Sequence, residues 1–255
     1  MQQQLFSNTR VVNLVISILG AFLFWQAASL LADLTAGTGL HPMFRVLGGS
    51  GVAFVKILAY LTFIFGVLEL RERSKQIAKE EQGFHFGLLP IQEQLVLTPE
   101  EVEQIKHETL KMEQKGQFFF VSSIIKKTCT QYRNDNNIGD TMQALDAHLD
   151  ASQKQQEGKL ETVRYIIQTV PMLGFIGTII ELTASLRLVK NFQKTGDITE
   201  VSNALYSAFD ATLVALGLTI ILTFLYHRHI ENLDVFFARI KAYIMDNLVS
   251  RIYNR

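Results

Sequence analysis

The sequence predicts an all-α integral membrane protein with four transmembrane helices, a helical cytoplasmic region and a C-terminal cytoplasmic helix. Three observations lead there. Four apolar runs, 11–32, 46–68, 165–186 and 205–226, each reach the length of about 20 residues that a helix needs to cross a hydrocarbon core. Charge is nearly absent from them, although 19% of the chain is charged and 48% apolar. Phe is abundant at 18 and Pro scarce at 4, a composition that suits long apolar helices.

The first run carries no charge between Arg10 and Asp33. It is too long for the apolar region of a secretory signal and lacks a small-x-small cleavage site, so no cleavable signal is expected. The second run is interrupted only by Lys56, the third by Glu181 and the fourth by Asp210. Arg71, Arg73, Lys75 and Lys79 follow the second run, Arg164 precedes the third and Arg228 follows the fourth. The loop between the first two runs has only Arg45, and the 187–203 loop has Lys190 and Lys194 with Arg187 at its edge. This bias places both termini and the large central segment in the cytoplasm. The expected division is a two-span peripheral hairpin at 1–70, a cytoplasmic helical region at 71–163, spans three and four at 164–227, and a helical extension at 228–255.

In the central segment, Thr98-Pro99-Glu100-Glu101 reads as a helix start, with a Thr cap, Pro in the first turn and acids behind it. Residues 118–125 are strongly apolar and are expected to pack against other cytoplasmic helices. Residues 134–140 read as a turn, and from Thr141 a helix can run unbroken into the third span. Beyond Tyr226, Ile230, Leu233, Phe237, Ile240, Ile244, Leu248 and Ile252 recur every three or four residues, the signature of an amphipathic helix. The single cysteine, Cys129, excludes an intrachain disulfide and reads as a small buried residue in a reduced compartment.

Soluble-enzyme signatures are missing: there is no P-loop, no G-x-G-x-x-G, no Cys/His metal spacing and no nucleophile–base set. His227 and His229 are two apart, off a common helix face, and are expected to be solvated at the membrane interface. No enzyme activity and no cofactor are expected. Lys+Arg and Asp+Glu both total 24, which leaves no basic excess for nucleic acid.

The informative residues lie in spans three and four. At 100° per residue, Pro171, Gly174, Thr178, Glu181 and Ser185 share one face. On span four, Ala204, Ala208, Ala211, Thr212, Ala215, Thr219 and Thr223 fall within an arc of ~120°. Small residues let membrane helices approach closely, and this packing alone could explain either stripe. Glu181 adds more, because an ionised carboxylate in the bilayer costs a few kcal/mol or more unless water, a cation or a partner meets it. Hydroxyls and a carboxylate on two facing helices suit an ion path. Lys56 and Asp210 lie at similar expected depth, and a pairing between them is expected.

Val170-Pro171-Met172-Leu173-Gly174-Phe175-Ile176-Gly177-Thr178 resembles the Pro-x-Leu-Gly-Leu-x-Gly-Thr stretch of the MotA/TolQ/ExbB proton channel family. Ala204-Leu205 followed by 211–218 resembles that family's last span, so the resemblance covers roughly 155–230. It implies a homopentamer in the bacterial inner membrane around a single-span ExbD-, TolR- or MotB-like partner, in two copies, with an acidic ion-carrying residue. Protons or Na⁺ flowing through the complex would drive mechanical work. Thr178 and Thr212 match the family's pore threonines and Pro171 its proline; Ser185 and Thr219 extend the path, and Gly174 and Gly177 serve packing. The two N-terminal spans are similar to the MotA type, the last span to ExbB. Where many relatives carry a Glu five residues before the span-four Thr, this chain has Ser207; Glu181 is expected to replace it, ~4.5 Å outward of Thr178 at 1.5 Å per residue. The alternative is a non-conducting membrane scaffold.

Overall fold

The computed structural model describes residues 2–37, 39–49, 52–90, 96–195, 202, 205 and 208–252. Ala204 and Ser207 lie outside them. The described residues form eight α-helices: α1 Gln2–Leu34, α2 His41–Gly48, α3 Ala53–Glu81, α4 Pro99–Gln114, α5 Phe120–Asp135, α6 Ile138–Gly158, α7 Glu161–Thr195 and α8 Asp210–Asn247. Short 3-10 turns follow α3 and α8. An isolated parallel bridge, Leu97 to Ile252, is the nearest the described residues come to a sheet. Four helical stretches are long and apolar enough to span a membrane, Thr9–Leu34, Ala53–Phe86, Ile138–Arg187 and Asp210–Arg251. The protein is thus an all-α, multi-pass membrane protein.

The chain divides into two compact units. The first joins Met1–Arg71 to Glu161–His227. Its outer surfaces are apolar: Leu19, Leu23 and Leu30 of α1, Phe175 of α7, and Ile220 and Phe224 of α8 are all exposed. Lipid is the solvent that tolerates such surfaces, and helices are what it admits, because every backbone group is satisfied internally. The second apolar run is not one helix, as its hydropathy suggests. Gly48 and Gly49 interrupt it: α2 ends at Gly48, and Val52 takes φ +37° before α3 begins at Ala53. Gly48 is required by close packing: a Cβ there would stand 2.3 Å from the Ser29 backbone nitrogen of α1.

The break leaves the last carbonyls of α2 without intrahelical donors. Each of three finds one. Gly49 N donates to Arg45 O at 2.7 Å, Lys56 Nζ to Val46 O at 2.9 Å and Tyr60 Oη to Leu47 O at 2.8 Å. Lys56, in the first turn of α3, is therefore bound to the end of α2.

The second unit comprises Glu72–Leu160 and Arg228–Arg255. Its core gathers Leu97, Ile124, Ile125, Ile240, Ile244 and Leu248, all nearly inaccessible. The C-terminal stripe supplies the last three, as its 3–4 spacing requires. α4 starts with a capping box in which Glu101 N donates to Thr98 Oγ1 at 3.4 Å and Thr98 N to Glu101 Oε2 at 2.8 Å. Of the 118–125 stretch, Val121, Ile124 and Ile125 are buried while Phe118 is exposed.

Three boundaries differ from expectation. The 134–140 turn shrinks to Asn136, left-handed at φ +46°, and Asn137, whose side chain accepts from Gly139 N and caps α6. Asn tolerates the left-handed region, so two residues suffice to reverse the chain. The helix starting there does not run into the third span: α6 ends at Gly158, and Lys159 N and Leu160 N bond back to Gln156 O and Glu157 O. Beyond the third span, α7 continues to Thr195, into the segment read as a loop.

Cys129 is buried in the second unit, and burial pushes its thiol up to about 12. Only thiolate reacts, so a maleimide should leave the native protein unmodified at pH 7–8 and label it fully once unfolded; rapid native labelling counted by mass spectrometry would contradict this packing.

Candidate functional site

α7 and α8 are held together by residues that lack bulk. A Cβ on Gly174 would lie 2.7 Å from Ala215 Cβ and 3.0 Å from Thr212 Cα. One on Gly177 would lie 2.8 Å from Ala211 Cβ and 3.4 Å from Val55 Cγ1 of α3. Such distances admit no further methyl group. Close approach of this kind is how membrane helices gain packing energy where lipid removes the hydrophobic drive.

The approach brings hydroxyls together. Thr212 Oγ1 donates across the helix contact to Gly174 O at 2.8 Å. Thr178 Oγ1 lies 3.3 Å from the same carbonyl and is hydrogen-bonded to Thr212 Oγ1. Ser185 Oγ donates to Glu181 O at 2.9 Å and Thr219 Oγ1 to Ala215 O at 2.7 Å, each on its own helix. These protons are used locally, and the hydroxyl oxygens keep lone pairs for an ion or water.

The expected face of α7 is the buried one. Gly174, Gly177, Thr178, Glu181 and Ser185 are buried, and Pro171 is half-buried. The polar row therefore points into the helix packing of the protomer. Glu181 is the anomaly on it: 7% exposed, with no hydrogen-bond partner for either carboxyl oxygen among the described residues. Buried polar atoms are seldom left so, and a carboxylate least of all.

Two further charges stand within electrostatic range of Glu181. Lys56, 1% exposed, interacts with Asp210 and Glu181, and Arg45 of α2 acts on Lys56 and Asp210. The expected Lys56–Asp210 pairing is not seen as a direct ion pair among the described residues; the hydrogen bond of Lys56 goes to Val46 O. Asp210 sits in the first turn of α8, where the helix dipole favours a negative charge.

Other polar residues escaped the sequence reading. Arg10 pairs with Glu69 at 3.3 Å, the carboxylate being buried. His229 is not solvated: it is 4% exposed, and its Nδ1 meets Ser74 Oγ at 2.9 Å. Its place four residues before Leu233 puts it on the buried stripe, a signal the sequence did carry. His227 is exposed, as expected, with Nδ1 3.0 Å from Thr223 O.

Apolar outer surfaces, tightly packed helices and a buried carboxylate beside hydroxyls define a polytopic membrane protein with polar groups inside its spans. Residues 117–242 match the model of the MotA/TolQ/ExbB proton channel family, so this stretch is similar to that family. No curated protein and no solved structure matches the chain. The matched stretch includes every residue of the α7–α8 contact described above.

Two stability outcomes follow from this geometry. Gly177→Ala should destabilise by about 1–3 kcal/mol through overpacking, and adding Ala211→Gly should recover part of the loss. Thr178→Val and Thr212→Val should each cost about 0.5–2 kcal/mol, with the double variant costing less than the sum because the hydroxyls bond each other. Denaturant titration in mild detergent reads both; strict additivity in the two cycles would contradict these contacts.

Proposed function

We propose that this protein is the ion-conducting subunit of an energy-converting complex, a stator or energiser that couples a transmembrane proton or Na⁺ gradient to mechanical work. The buried Glu181, with neither carboxyl oxygen bonded among the described residues, carries this reading. A carboxylate in that position is stable only if something intermittently meets it, and a proton or cation moving along the membrane gradient is the natural candidate. Thr178 and Thr212 supply the adjacent oxygens, and Ser185 and Thr219 extend the polar row along the same helices. Neutral oxygens bind an ion firmly enough to replace its hydration yet loosely enough to release it.

In the full complex, several copies, five by resemblance to the family, surround a single-span partner, present twice, whose acidic residue exchanges the ion with this cluster. The exposed apolar surfaces of α7 and α8 are available for neighbouring copies and lipid. Loop charge favours an inner-membrane orientation with both termini cytoplasmic. The expected division into an N-terminal hairpin, a central helical region, a pore-lining pair and a C-terminal extension fits this arrangement.

A non-conducting scaffold is the second reading, favoured by the tight Gly174 and Gly177 contacts and by hydroxyls bonded to backbone. Glu181→Gln separates the two. It keeps size and hydrogen-bonding capacity and removes the titratable proton. In membranes containing the assembled complex, ion flux should fall at least tenfold while expression and assembly persist. Normal flux per complex in the variant would sink the conducting role of Glu181; lost assembly would favour the scaffold.

A further inference from the structure

Beneath α2 the membrane unit has a recess that its own side chains leave unfilled. Met43, Val46 and Leu47 of α2 stand over Leu213, Gly217 and Ile221 of α8, and the cavity between them measures about 320 Å³. Every residue lining it is apolar. The geometry points to a binding site for one anionic phospholipid of the outer leaflet, with an acyl chain in the recess and the phosphate at Arg45. This inference stands apart from the role of Glu181.

The recess is built into the packing. Gly217 opens it, since a Cβ there would meet nothing within 4 Å. Val214, 6% exposed, forms its floor and packs with Ala21 and Tyr60. The roof is held in place by its backbone. Val46 O accepts from Lys56 Nζ at 2.9 Å and Leu47 O from Tyr60 Oη at 2.8 Å, and Gly48 is packed on Ala28 and Ser29 of α1. A pocket formed in advance binds without a loop having to be ordered first.

Depth and length suit an acyl chain. α2 starts beside the end of α1, where His41 Nδ1 meets Ala32 O at 2.9 Å, and it ends against Ala28 and Ser29. Val214 packs on Ala21, two turns of α1 deeper than Ala28. The recess thus runs from the end of the first span towards the middle of the bilayer. Leu213 to Ile221 covers ~12 Å of helix at 1.5 Å per residue. The hydrocarbon of one leaflet is about 15 Å thick, so the recess follows most of one chain. On the orientation favoured by loop charge, this leaflet is the outer one.

Charge selects a phospholipid over an apolar side chain from a neighbouring copy. Arg45 lies on the helix that roofs the recess, next to Val46, and is exposed. It is the single Lys or Arg between the first two apolar runs. A guanidinium near the headgroups meets a lipid phosphate with paired hydrogen bonds. A phospholipid uses both the apolar recess and this charge, whereas an apolar side chain would use the recess alone.

The test is photolabelling of the full chain in phosphatidylcholine nanodiscs doped with phosphatidylglycerol that carries a diazirine midway along one acyl chain. Peptide mass spectrometry locates the adducts. They should concentrate on Met43, Leu213 and Ile221, at least fivefold over Leu19 and Leu23 on the exposed face of α1. Gly217→Leu fills the recess and should lower its adducts at least fivefold while leaving those on α1 unchanged. Ile221→Trp serves as the filling variant if Gly217→Leu loses its helical signal. Arg45→Gln should remove the preference for phosphatidylglycerol over equally labelled phosphatidylcholine. Equal labelling of the recess and α1 would mean ordinary bilayer contact and overturn the inference. So would a recess that neither lipid labels, the mark of a protein occupant, or labelling that survives both filling variants. Labelling indifferent to headgroup and to Arg45→Gln would overturn the assignment of an anionic lipid.

Discussion

Where α7 meets α8, Gly174 and Gly177 face Ala215 and Ala211 with no space for one more methyl, and this contact positions the polar groups of both spans. It brings the Thr212 hydroxyl to a carbonyl on the opposite helix and to the hydroxyl of Thr178. Through Val55, which packs on the same Gly177, it also draws in the first turn of α3, one residue before Lys56. A single bulky residue at the contact would separate the hydroxyls and the charges together. Small residues in these spans therefore serve placement as much as packing energy.

The charges are expensive in this setting and persist because each is held by a different device. Asp210 is at a helix N-terminus, Lys56 is bonded to a terminal carbonyl, and Glu181 has no hydrogen-bond partner among the described residues. A charge secured by geometry alone is structural. One that is buried and left short of partners is available to exchange with something mobile. That contrast separates Glu181 from Lys56 and Asp210, although all three interrupt apolar runs in the same way.

The face of α7 was legible in the sequence because 100° periodicity is a property of the helix alone: Gly174, Thr178, Glu181 and Ser185 share it and are buried. The number of spans was legible from the length of the apolar runs, the Thr98 cap from the Thr98-Pro99-Glu100-Glu101 motif, and the C-terminal stripe from its three-to-four-residue spacing. Contacts between distant segments were not. Nothing local tells Lys56 to bond Val46 O, or Arg10 to meet Glu69. The break after Gly48 and Gly49 was written in the sequence but hidden by hydropathy, which does not distinguish a glycine-broken run from a continuous helix. His229 was misplaced because its polarity outweighed its position on the apolar stripe.

The most direct measurement is solid-state NMR of the full chain in lipid bilayers, with glycine, alanine and threonine labelled in ¹³C. The close helix contact predicts a strong through-space correlation between Gly177 Cα and Ala211 Cβ, together with one between the Thr178 and Thr212 side chains. Absence of both correlations in folded protein whose sequential correlations are intact would contradict the contact on which the placement of Glu181 and Lys56 depends.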